Sequence, residues 1–140
     1  MVSLRGPVLI VEDDPDIRES LQHFLEAHGY PVVVARHGKE ALALLGRAPR
    51  PALVVLDMNL PIMDGNRLLT ARKGDDLLRA IPVVILSAAL VGMSPRDRAL
   101  YASSYGVATF LGKPADPQQV LEAVERHGLR AEEASAGVPV

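Results

Sequence analysis

Apolar residues in this chain fall into two alternating rhythms. Four in succession occur at residues 8–11, 53–56 and 83–86, the last run led by Pro82. Runs of that length, closed by acids, proline or serine, predict strands buried on both faces. Residues 31–35 and 107–111 carry the same signal. Between these runs the apolar positions recur three and four apart, which is helical spacing. Ile17, Leu21, Phe24, Leu25 and His28 form one such series; Ala41, Leu42 and Leu45 a second; Val120, Leu121 and Val124 a third. Asp14-Pro15, Ser94-Pro95-Arg96-Asp97 and Asp116-Pro117 are capped helix starts. Gly29, Gly74 and Gly128 are placed to stop helices. The helix opened by Ser94 is only weakly amphipathic, because serines occupy several of its inward positions.

Five strand runs therefore alternate with five helical runs, the third helix covering residues 66–73. That alternation predicts an α/β fold with a parallel sheet, helices on both faces and right-handed crossovers. The 140 residues suit one domain with a real core. We expect the domain to cover residues 1–128, with residues 129–140 a flexible tail or linker remnant. Nearly half the residues are apolar and the formal charge is −2, which gives no case for nucleic acid or a membrane surface as partner. The absence of cysteine excludes disulfides and thiol chemistry. No signal peptide or membrane span is legible, so a cytoplasmic protein is expected.

Candidate chemistry collects at the strand ends. In an open parallel sheet the carboxyl ends of the strands share one edge, where ligands bind. The first strand delivers Glu12 and Asp13 there, the third Asp57, the fourth Ser87, and the fifth is followed by Lys113. Three converging carboxylates repel one another and raise at least one pKa. An all-oxygen donor set answers with a hard divalent cation, Mg²⁺ rather than zinc, with Mn²⁺ as an alternative. Lys113 and Ser87 add a fixed cation and a hydroxyl, which suits a phosphoryl group carried on Asp57. Asp14 needs no role beyond capping its helix. The four histidines lack metal-ligand spacing and receive none.

From about residue 7 to residue 127 the chain resembles the receiver domains of two-component response regulators. The resemblance rests on Val-Leu-Ile-Val-Glu12-Asp13 with Ile17-Arg18 following, and on Val-Val-Leu-Asp57-Met-Asn-Leu-Pro61 with Met63-Asp64-Gly65. It continues in Pro82-Val-Val-Ile-Leu-Ser87-Ala88 and Phe110-Leu-Gly-Lys113-Pro114. It implies a flavodoxin-like (βα)5 fold with strand order 2-1-3-4-5 and a bacterial, cytoplasmic signalling protein that is not an enzyme in the ordinary sense. Asp57 would be the phosphoacceptor. Asp13 would bind Mg²⁺ directly, Glu12 through water, and the backbone carbonyl of Asn59 would complete the protein ligands. Lys113 would pair with the phosphoryl group ahead of a cis bond to Pro114, and Ser87 and Phe110 would be the switch pair. Donors would be a sensor histidine kinase or a histidine phosphotransfer protein. A downstream partner would meet the face made by the fourth helix, fifth strand and fifth helix of a monomer or weak homodimer. The segment from Ala88 to Gly106 is longer than the family commonly has, with residues 89–93 the expected extra loop.

Two other classes share parts of this residue set. Phosphatases of the haloacid-dehalogenase type share a nucleophilic Asp, a Ser/Thr, a Lys and Mg²⁺, but need an aspartate where Asn59 stands and place the nucleophile on the first strand. A pseudo-receiver, never phosphorylated, would not need the full set Glu12, Asp13, Asp57, Ser87 and Lys113. Taken singly, Asp57 could be a turn residue, Lys113 a surface lysine and Phe110 a half-buried aromatic. Their combination favours the receiver.

Overall fold

A computed structural model describes residues 2–58, 65–88 and 94–131. Five strands form one parallel sheet in the order β2-β1-β3-β4-β5. They are β1 (Val8–Val11), β2 (Val32–Ala35), β3 (Leu53–Asp57), β4 (Val83–Ser87) and β5 (Thr109–Gly112). The helices are α1 (Pro15–Ala27), α2 (Gly38–Leu45), α3 (Gly65–Lys73), α4 (Asp76–Arg79), α5 (Pro95–Tyr105) and α6 (Pro117–His127). The flavodoxin-like order is as expected, and each strand lies within two residues of its predicted start. The single-turn α4 is an addition: Asp75 caps it, accepting from the N–H groups of Leu77 and Leu78. A four-residue helix has too few positions to show a period.

Strand alternation sorts the core into two layers. Leu9, Val11, Val54, Leu56, Val83 and Ile85 face α2, α3, α4 and α5. Val8, Ile10, Leu53, Val55, Val84 and Leu86 face α1 and α6. β1 and β3 are buried along their whole length, whereas the edge strands β2 and β5 are half-buried for most of theirs. Asp14 caps α1 by accepting from Asp16 and Ile17 N–H, Ser94 Oγ accepts from Asp97 N–H, and Asp116 accepts from Gln118 N–H. All three caps were expected.

Leu4 and Arg130 form an antiparallel bridge, Leu129 N–H donates to the Ala52 carbonyl, and Ala131 N–H donates to the Ser3 carbonyl. The pairing joins residues 3–5 to residues 129–131 and is invisible to any local pattern. Among the described residues no helix is long and apolar enough to cross a membrane.

Candidate functional site

The β1–α1 turn is built before any ligand is considered. β1 ends at Val11, and Pro15 starts α1 three residues after Glu12, so the intervening acids are held at the sheet edge. Asp14 turns back to cap α1, and its own N–H donates to Glu12 Oε2 at 3.2 Å. Arg18, one turn into α1, donates to the backbone carbonyls of Glu12 (3.0 Å) and Asp13 (3.4 Å). That brace has a legible cue, a basic residue on the turn following an acidic strand end.

Glu12, Asp13 and Asp57 each present a carboxylate oxygen within 4.8 Å of the others. Glu12 and Asp57 are only 1% and 2% exposed, and Asp13 faces solvent. Lys113 reaches in from the exit of β5, its Nζ 3.3 Å from Glu12 Oε1 and 3.3 Å from Asp57 Oδ1. The Lys113–Pro114 peptide is cis, and Lys113 N–H donates to the Ser87 carbonyl, tying the exits of β5 and β4 together. Ser87 closes β4, the strand paired with β3, and is half-buried. So Glu12, Asp13, Asp57 and Lys113 come together with Ser87 at the neighbouring strand end. Phe110 does not join them: it sits mid-β5 on the opposite layer, beside Tyr101 of α5. Asn59 and residues 89–93 lie outside the described residues.

Burial pushes the Glu12 carboxyl up to about 7, with the Asp57 charge adding to the rise; the Asp14 N–H and Lys113 oppose it. Burial works against the Lys113 charge, but Glu12 and Asp57 outweigh it and its pKa is raised. One lysine thus serves two buried acids and leaves an excess of negative charge. The donor set fits a hard divalent cation, because oxygen ligands alone are present and Glu12 holds its proton to neutral pH without one.

The sign of the pH effect follows. Below the ordinary glutamate value of 4.5 both folded and unfolded chains hold the Glu12 proton. Between 4.5 and about 7 the unfolded chain releases it and the folded chain keeps it, so folded stability falls as pH rises through that window. In chelator, the wild-type thermal midpoint should drop more steeply over this window than that of Glu12→Gln. Equal slopes would show that Glu12 titrates as an ordinary acid.

The model of the response regulator receiver domain matches residues 8–125. Among curated proteins the chain is 38% identical over 130 residues to the response regulator Rre1 of Synechocystis, covering 92% of this chain and 54% of that protein. It is 33% identical to the polar-differentiation response regulator DivK of Brucella anthropi, covering 86% of this chain and 94% of that one. The chain thus spans about half of the first relative and nearly all of the second. Its fold is similar to Vibrio cholerae chemotaxis protein CheY4, with a TM-score of 0.75 at 29% identity over 87% of this chain and 98% of that one. It is equally similar, again at 0.75, to the signal receiver domain of a histidine kinase from Syntrophus aciditrophicus, with 34% identity over 96% and 98% of the two chains.

Proposed function

The chain belongs to the response regulator receiver domain family, a signalling domain of two-component systems, and we infer that it accepts a phosphoryl group on Asp57. The observation that carries this is the cluster itself: one lysine 3.3 Å from two buried carboxylates, with a third acid alongside, all at strand ends. The donor is a phosphohistidine of a histidine kinase or phosphotransfer protein. An Asp57 oxygen attacks phosphorus in line, forming the O–P bond as the P–N bond to the donor imidazole breaks.

Each neighbour has a part that its position supports. Lys113 Nζ pairs with a phosphoryl oxygen, and the Ser87 hydroxyl donates to another. Glu12, Asp13 and Asp57 would hold Mg²⁺, with the Asn59 carbonyl the further ligand that the family resemblance implies. When bound, Mg²⁺ supplies the charge that keeps all three acids ionised and neutralises the incoming group. Asn59 supplies no general acid or base, which disfavours rapid turnover of phosphate esters and favours a phosphorylated state long enough to be sensed. Ser87 drawn toward the phosphoryl group and Phe110 moving after it would bias the surface of α5, β5 and α6, where a downstream partner binds. The protein works in the cytoplasm as a monomer or weak homodimer.

The test is incubation with acetyl phosphate and Mg²⁺, read by intact mass. A gain of one phosphoryl group that chelator prevents is expected. An unchanged mass with a range of small phosphodonors would leave a non-phosphorylated interaction module as the better reading.

A further inference from the structure

Arg72 is 3% exposed, has no carboxylate partner among the described residues and takes no part in the acidic site. Its guanidinium spends its donors on backbone carbonyls. Nε donates to Ile81 at 3.0 Å, Nη1 to Tyr105 at 2.9 Å, and Nη2 to Ile81 at 2.6 Å, Arg79 at 3.0 Å and Gly106 at 3.4 Å. Those carbonyls end α4, lead into β4 and end α5. Lys73 next to it donates to the Ser104 carbonyl at 2.8 Å. The last carbonyls of a helix have no partner within it and carry the negative end of its dipole, so cations are well placed there. Gly106, at φ +68°, completes the terminus by donating to Ala102.

The rest of α5 is held differently. It contains no fully buried residue. Residues 94–100 are exposed apart from the half-buried Arg98, and Leu100 is 57% exposed. Tyr101, Ala102 and Tyr105 pack against the core, and Tyr101 touches Phe110 edge-on with ring centres 5.9 Å apart. Attachment is therefore concentrated in the C-terminal half, and Tyr101 sits where the held part begins.

We propose that Arg72 is the positioning residue of α5. With Lys73 it clamps the C-terminal end of that helix to α3 and the entry of β4, and leaves residues 95–100 as the half that moves. A planar fork reaching carbonyls of three segments can do this, and a lysine's single ammonium cannot. The use of this pivot in signalling rests on the receiver reading above; the clamp itself does not.

Hydrogen exchange on the ligand-free protein separates the two. In Arg72→Met, amides of residues 98–107 should exchange about tenfold faster or more, while β1, β3 and β4 keep wild-type rates. Methionine is chosen because it keeps the buried aliphatic stem while removing the fork that holds the carbonyls. If that variant does not fold, Arg72→Lys and Lys73→Ala carry the test, with faster exchange confined to the same segment. Wild-type protection of α5 in every folded variant overturns the clamp, as does acceleration shared equally by the central strands. In wild type with fluoroberyllate and Mg²⁺, amide shifts should be largest over residues 95–100 and fall toward Gly106; a uniform or reversed gradient also overturns it. No response anywhere, with the exchange effect intact, sinks the phosphoryl-switch reading and supports the clamp alone.

Discussion

Asp57→Asn is expected to take up no phosphoryl group from acetyl phosphate under conditions that label the wild type fully. The amide preserves the volume of a side chain that is 2% exposed, so no cavity opens. It removes the nucleophilic charge and, with it, the ion pair to Lys113. The same substitution takes away the Asp57 charge that helps push Glu12 up, so Glu12 becomes a stronger acid and pairs more firmly with Lys113. Fold is therefore retained, and at neutral pH the thermal midpoint should match or exceed that of the wild type. Intact mass and a melting curve on one sample check both statements. Uptake at the wild-type rate would place the acceptor elsewhere; a collapsed fold would contradict the electrostatic account.

Lys113→Met should slow phosphoryl uptake by about 10²–10³-fold, the usual cost of losing one well-placed group that stabilises the transferring charge. It should not weaken Mg²⁺ binding, because Lys113 is the cation that competes for the same two carboxylates, at 3.3 Å from each. Without it nothing opposes the burial and the Asp57 charge except the Asp14 N–H, so Glu12 is pushed further up. Breaking a buried pair from one side leaves uncompensated charge and is destabilising. Here the protonation of Glu12 limits that loss, and the variant should melt lower than wild type at pH 8 while differing less at pH 5. Calorimetric Mg²⁺ titration beside a phosphorylation time course separates the effects. Joint loss of metal binding and phosphorylation would make Lys113 a structural residue of the pocket instead.

Glu12 illustrates how far residues alone carry the chemistry. That three acids converge, and that one of them must have a raised pKa, follows from strand ends sharing an edge. That the raised one is Glu12 depends on depth, since Asp13, one residue on, faces water. Arg72 shows the opposite limit. It lies at the end of a helix, where a basic residue is ordinarily a solvated complement to the dipole. Its distance of three and four residues from Leu69 and Leu68 was the cue that it shares their buried face. Its partners, carbonyls as far away as Tyr105 and Gly106, have no signature in side-chain type.

The sequence by itself determined the alternation of strands and helices, the three acidic or serine caps, the parallel sheet and the acids at its edge. Each of these is local: period, cap and strand end are set by residues within a few positions of one another. Tertiary structure alone decided which acid is buried, that Lys113 bridges to Glu12 across 101 residues, that residues 129–131 close onto residues 3–5, and that α5 is held from one end by Arg72. Those outcomes depend on which surfaces meet and how much water is excluded between them, and neither quantity is encoded in any short window of the chain.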